Sequence, residues 1–242
     1  MHMIEIKSLD KSYGRQKVLQ GISLSFEPGE GVALIGPNGS GKTTLLKCIL
    51  GLVFPDKGEV HMYGEAIRNR AGYRRKIGYM PQISRFPEQL KVRQLFDLIG
   101  RLRHDVAEGQ RDLELYHEFG IGEWEDKRLG SLSGGMKQQV SAALAFCFSP
   151  GLLILDEPTA GLDPLSNERL KAKVKQCLGA NKLVLTTSHI LNDLEEMSNR
   201  VIYLMDGKIQ FDESMQGLME KTSQQKLDKI VAALLNELRS HA

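Results

Sequence analysis

Three groups of residues in this 242-residue chain have the types and spacing for phosphate chemistry. The first is the run Gly36-Pro37-Asn38-Gly39-Ser40-Gly41-Lys42-Thr43, followed by Thr44. Glycines let successive backbone N–H groups converge on an anion, the lysine adds a charge for the β- and γ-phosphates, and the threonine hydroxyl suits Mg²⁺. The second group is Asp156-Glu157. One carboxylate could hold Mg²⁺ through its water shell while the next orients and deprotonates an attacking water, although two acids after a strand also make an ordinary charged turn. Third come the single polar residues Gln82 and His189. A carboxamide oxygen can serve Mg²⁺ or a water, but a lone glutamine or histidine is more often a solvated surface group.

These residues need a scaffold, and the hydrophobic pattern describes one. The glycine-rich run follows the apolar stretch Val32-Ala33-Leu34-Ile35 and opens the helical stretch Thr44 to Leu50, so a helix N-terminus faces the anion site. Leu152-Leu153-Ile154-Leu155 is a continuous aliphatic run, the mark of a strand buried on both faces, and it delivers Asp156 and Glu157 at its C-terminal end. Lys76 to Met80 is a strand leading through Pro81 to Gln82, and Lys182 to Thr187 another leading to His189. All these groups lie at C-terminal strand edges, where open α/β sheets bind ligands. Ile4 and Ile6 alternate with polar residues, as do Ile22, Leu24 and Phe26, giving half-buried strands, with Val60 and Met62 in another. Tyr13, between the first two, reads either as a packing residue or as an aromatic that stacks on a purine.

From Gln82 to Pro150 strand alternation gives way to helical spacing. Val92, Leu95, Phe96, Ile99 and Leu102 form one face, Leu113, Tyr116 and Phe119 a second, and Met136, Val140, Ala143, Leu144 and Cys147 a third. This is a helical insertion in an α/β core. Its third helix opens at Ser133-Gly134-Gly135, either an ordinary cap or a second anion site. Asp163-Pro164 reads as an N-cap with proline at the first helical position, and Asp206-Gly207 as a hairpin turn. Near the end, Leu227, Ile230, Val231, Leu234, Leu235 and Leu238 make an amphipathic helix, packed on its own core or on a second copy.

Composition narrows the function classes. A net charge of +2 lacks the basic excess of a nucleic-acid binder, so no nucleic-acid partner is expected. Cys48, Cys147 and Cys177 have no metal-ligand spacing and read as core thiols in a reducing compartment. Apolar runs such as Ala142 to Phe148 fall short of the ~18 residues that a membrane span needs, so a soluble, cytoplasmic chain is expected.

The phosphate loop, Gln82, Leu132-Ser133-Gly134-Gly135-Met136-Lys137-Gln138-Gln139 and Leu152 to Glu157 occur in the order found in ATP-binding cassette ATPases, and the chain resembles that family over about residues 3 to 212. The resemblance implies an α/β fold with a P-loop NTPase (RecA-like) core, an antiparallel β subdomain and a helical insertion. It divides the chain into an ATPase domain 1–212, with core 1–82 and 150–212 and helical subdomain 83–149, and a helical tail 213–242. It implies ATP and Mg²⁺ as cofactors, with Tyr13 stacked on adenine, residues 36–44 around the phosphates, and Thr43, Gln82 and Asp156 at the metal. Lys42, Gln82, Glu157 and His189 would be catalytic, His189 at the γ-phosphate. Ser133, Gly134 and Gly135 would be a signature loop, and Ala160-Gly161-Leu162-Asp163 a loop joining two protomers, both meeting the nucleotide in a head-to-tail homodimer. The family's single short cassettes imply the motor of a bacterial exporter at the inner face of the membrane, working with an integral-membrane permease. A soluble assembly ATPase like that of iron-sulfur cluster assembly is the alternative. Ile77 to Gln82 followed by Arg85-Phe86-Pro87-Glu88 is similar, more narrowly, to the ATPase of the copper-related system that matures nitrous oxide reductase. Gln139 departs from the pattern, which commonly has arginine there, so a secondary ion pair is in doubt.

Overall fold

The structure is a computed structural model that describes residues 2–68, 70–103 and 108–240. In chain order its elements are β1 (Ile4–Tyr13), β2 (Gln16–Phe26), β3 (Gly31–Ile35), α1 (Lys42–Ile49), β4 (Lys57–Met62), β5 (Glu65–Ala66), β6 (Ile77–Met80), α2 (Val92–Leu102), α3 (Glu114–Glu118), α4 (Gly134–Phe146), β7 (Leu152–Asp156), α5 (Pro164–Gly179), β8 (Leu183–Thr187), α6 (Leu191–Met197), β9 (Arg200–Met205), β10 (Lys208–Ser214), α7 (Met215–Thr222) and α8 (Leu227–Ser240). Short 3-10 turns punctuate the connections.

Two sheets follow from two hydrophobic patterns. The alternating segments form an antiparallel sheet in the order β2-β1-β4-β5, and the continuous aliphatic runs form a six-stranded sheet in the order β10-β9-β3-β8-β7-β6. In the larger sheet β9, β3, β8, β7 and β6 run parallel and β10 closes the edge antiparallel. Every residue of β3, β7 and β8 is buried. Their side chains alternate between two cores, as the two-residue period of a strand requires. Val32, Leu34, Leu152 and Ile154 join α1 and the antiparallel sheet, while Ala33, Ile35, Leu153 and Leu155 join the helices on the other face. Leu45, Leu46, Cys48 and Ile49 of α1 fill the first of these cores, so the helix that follows the glycine-rich run lies between the two sheets.

The helical region packs through Val92, Leu95 and Phe96 of α2 and Val140, Ala142, Ala143, Ala145 and Phe146 of α4. The second expected face is shorter than its spacing implies: only Glu114–Glu118 is helical, Leu115 takes the most buried place, and Leu113 and Phe119 sit at the two ends. Gly120 follows and stops the helix. Tyr116 instead meets Phe96 edge-on, with ring centroids 5.0 Å apart.

Past β10 the chain forms α7, capped by Ser214, whose hydroxyl accepts the Gly217 N–H at 3.0 Å. In α8, Leu227, Ile230, Val231 and Leu234 share a core with Leu194 and Met197 of α6, so the amphipathic tail covers its own chain. The side chain of Leu238 lies outside the described residues. Among the described residues no helix is long and apolar enough to cross a membrane. All three cysteines are buried, as expected.

Candidate functional site

The glycine-rich run connects β3 to α1, and its first residue shows why glycine is needed. Gly36 has φ 147°, and a Cβ there would stand 1.9 Å from the Leu204 carbonyl oxygen of β9. Only glycine lets the chain pass that point. The Gly207 N–H donates to the Ser40 carbonyl at 3.2 Å and ties the loop to the β9–β10 turn. The Lys42 ammonium donates to the carbonyls of Gly36 at 2.7 Å and Pro37 at 3.0 Å. Burial pushes the Lys42 pKa below the ordinary lysine value, and the carboxylates of Glu157 and Asp156 pull it partly back. The first turn of α1 carries no acidic residue, so no carboxylate of its own opposes an anion at its N–H groups and positive dipole end.

The two acids stand at the end of β7, fixed by the neighbouring strand β8. The Thr187 hydroxyl donates to Asp156 Oδ1 at 2.6 Å and accepts the Glu157 N–H at 3.1 Å. Glu157 has φ 54°, a left-handed conformation that costs a non-glycine residue about 1–3 kcal/mol and persists only under outside support. That support comes from the same N–H shared with the Thr187 carbonyl at 3.1 Å, and from the Glu157 carbonyl accepting the Ala160 N–H at 3.2 Å. The twist turns the Glu157 carboxylate toward His189. One oxygen accepts the His189 N–H at 3.1 Å and the other lies 3.0 Å from its Nε2.

A cavity of about 280 Å³ gathers most of the candidates. Tyr13, Asn38 to Thr44, Gln82, Asp156, Glu157 and His189 line it, joined by Gln16 and Val18 of β2. Gly36 and Pro37 form the base of the loop and do not line the cavity themselves. The Tyr13 ring is half-exposed at its rim. Thr43, Asp156 and Gln82 supply a hydroxyl, a carboxylate and a carboxamide to one space, a hard-oxygen set that fits Mg²⁺, which keeps waters and takes substrate phosphate oxygens alongside one or two carboxylates. The described residues contain no cluster of three His, Cys, Asp or Glu side chains that would make an all-protein metal cage.

Ser133, Gly134, Gly135 and Asp163 do not line this cavity. The Ser133 hydroxyl accepts the Met136 N–H at 3.2 Å, so the ordinary cap is real, yet the residue stays exposed. Asp163 caps α5, accepting the Ser166 N–H at 3.0 Å and hydroxyl at 2.6 Å, and those bonds hold its carboxyl below the usual range. Gly134, Gly135, Ala160 and Gly161 line a separate groove of about 640 Å³, which Gln82 borders too. Thr187, Gln16 and Val18 belong to the site but escaped the sequence reading. Thr187 adjoins Ser188-His189 and could have been suspected from that position. Nothing in the sequence marks Gln16 or Val18.

Comparison with known proteins matches residues 19–160 to the family described as ABC transporter. The chain is 34% identical over 208 residues to the Nod factor export ATP-binding protein I of Burkholderia orbicola, covering 85% of this chain and 68% of that one. Its structure is similar to that of an ATP-binding subunit of an ABC transporter, with TM-score 0.89 and 29% identity over 96% of this chain and 99% of the other. The dimeric post-hydrolysis state of the cassette MJ0796 bound to ADP and Pi is also similar, with TM-score 0.76 and 26% identity over 88% and 98%. None of these supports the narrower likeness to the copper-related ATPase. With the cavity, the two-sheet core and the helical insertion in place, the chain belongs to the ATP-binding cassette family and is an ABC transporter ATPase that binds and hydrolyses ATP.

Proposed function

We propose that this ATPase is the motor of a bacterial exporter. The observation that carries the motor reading is the convergence of Lys42, Asp156, Glu157, Gln82 and His189 on one cavity, with Ser133 exposed outside it, and the likeness to a protein named for export supports the direction. Tyr13 stacks on the adenine and residues 38–44 wrap the phosphates. Lys42 neutralises the β- and γ-phosphates, Glu157 takes the proton of the attacking water, and His189 orients Glu157 and meets the γ-phosphate. Thr43, Asp156 and Gln82 would hold Mg²⁺, which supplies charge neutralisation to the phosphate oxygens. In this reading residues 1–212 are the ATPase domain, 83–149 its helical subdomain and 213–242 a tail.

Ser133 and residues 160–163 are surplus to the chain's own cavity, and a second copy placed head to tail gives them a nucleotide to meet. Similarity to a protein named for Nod factor export and to dimeric cassettes supports both the exporter reading and the dimer. An integral-membrane permease docks where Ile83 and Phe86 edge the groove beside Gln82, which places the ATPase on the inner face of the membrane. Purification of the tagged chain from detergent-extracted membranes tests this. A protein with several apolar spans should co-purify in fixed ratio, and a soluble scaffold in its place would overturn the exporter reading.

A further inference from the structure

We propose that Gln138 is a positioning residue for hydrolysis, tying the segment after Gln82 and the first turns of α4 to the backbone of Glu157. The inference rests on the reading of Glu157 as the base. Gln138 is 5% exposed, and an amide that deeply buried needs partners for both ends. Its Oε1 accepts the Ser84 hydroxyl at 3.0 Å, and its Nε2 points to the Glu157 carbonyl at 3.5 Å. Ser84 lies two residues beyond Gln82, so one side chain reaches both the segment that carries Gln82 and the residue that would activate water.

The contact falls where Glu157 needs holding. Its left-handed backbone depends on bonds at both its N–H and its carbonyl, and Gln138 adds a second donor to that carbonyl. Two neighbours strengthen the seam. A Cβ on Gly135 would come within 2.8 Å of the Gly161 carbonyl oxygen, so the start of α4 lies directly on the loop after Glu157. Gln139 Nε2 donates to the Ser166 hydroxyl at 2.8 Å, and that hydroxyl donates to Asp163 at 2.6 Å. The chain from Glu157 to Ser166 is therefore hydrogen-bonded to the first turns of α4 at two heights, with a close backbone approach between them. A shift of residues 82–84 pulls on Gln138 and, through it, on Glu157. Gln138 lines the groove beside Gly134 and Gly135 and not the nucleotide cavity, so its loss should leave nucleotide binding to the single chain alone.

The test measures steady-state ATPase and equilibrium binding of a fluorescent ATP analogue on the full chain. Gln138→Leu should lower kcat ~10-fold or more with KM and affinity within about twofold, because misplacing a reacting group by an ångström costs rate on that scale. Ser84→Ala should lower kcat less, Ser84→Thr should restore it by keeping a hydroxyl, and Ser84→Ala should add nothing in the Gln138→Leu background. If the leucine variant does not fold, Gln138→Glu serves. Its carboxyl keeps the size and the acceptor for Ser84, and as a buried acid it can place an O–H toward the Glu157 carbonyl, so it should retain more kcat than is expected of Gln138→Leu while leaving affinity unchanged. Unchanged kcat, affinity falling in step with kcat, or independent effects of Ser84 and Gln138 would overturn the proposal. Glu157→Gln is measured alongside. Normal turnover there would remove the base assignment itself and the proposal with it, whereas a normal Gln138→Leu beside a dead Glu157→Gln would remove the proposal alone.

Discussion

Replacing Glu157 by glutamine separates chemistry from folding at this site. The amide keeps the side chain's volume, and its oxygen can still accept the His189 N–H now 3.1 Å from the carboxylate, so the left-handed turn keeps its main supports. What stability is lost comes from the contact with the His189 ring, which is half-exposed and so contributes no more than about 1 kcal/mol. The chemical loss is larger. Removing a general base lowers the rate by ~10²-fold or more, which corresponds to about 2.7 kcal/mol of barrier. Binding should move the other way. The variant removes a negative charge from beside the phosphates, and Asp156 remains to favour the charged lysine against the burial that lowers its pKa. The expected result is a nearly unchanged melting temperature, ATP affinity equal to or tighter than wild type, accumulation of an ATP-bound dimer, and phosphate release slowed by at least the factor above. Thermal denaturation, analogue binding, sedimentation and phosphate release on the same preparation give all four readouts. Near-normal turnover, or rate and affinity falling together, would refute the assignment.

Three further substitutions probe the frame around the site. Gly36→Ala should melt several degrees lower and lose most ATP affinity, because its Cβ would stand 1.9 Å from the Leu204 carbonyl; Gly39→Ala meets nothing within 4 Å and should show only the ~1–2 kcal/mol of a left-handed residue. Equal loss at both positions by thermal denaturation would contradict the close approach. Lys173→Met removes a buried ammonium that bridges Asp112 at 2.6 Å and Glu114 at 2.7 Å, joining α5 to the chain just before and within α3. Urea unfolding should show a loss of about 1–3 kcal/mol, less than for a fully buried pair because Glu114 is half-exposed, with ATP affinity unchanged.

What was legible in the sequence was what local geometry dictates. A loop that must pass beneath the Leu204 carbonyl has to place glycine at position 36, and a strand buried on both faces has to read Leu152 to Leu155 without a polar break, so the site's centre was visible before any contact was known. Asp163-Pro164 announced its own cap for the same reason. What stayed hidden depends on residues distant in the chain. Thr187 bridges Asp156 and Glu157 from a strand some thirty positions later, and Gln16 and Val18 reach the cavity only because the β1–β2 hairpin folds over the phosphate loop. Gln139 looked like a lost ion pair, yet its partner is the Ser166 hydroxyl, 27 residues away. Hydrophobic spacing overextended α3, which Gly120 cuts short, and passed over α7, an eight-residue helix with a weak pattern. Spacing also gave α8 its apolar face without saying what covers it, and that turned out to be α6 of the same chain.

In the proposed dimer two copies share each nucleotide, one giving Lys42 and the other Ser133. Mixing Lys42→Ala chains with Ser133→Arg chains separates a shared site from one built within a single chain, because neither variant alone can complete a site. In the mixed pair one site receives the intact Lys42 of one chain and the intact Ser133 of the other, while the second site carries both defects. Sedimentation with ATP and Mg²⁺ should then show a heterodimer that neither variant forms by itself. ATP-dependent dimers of wild type under the same conditions, with none in the mixture, would contradict the shared site.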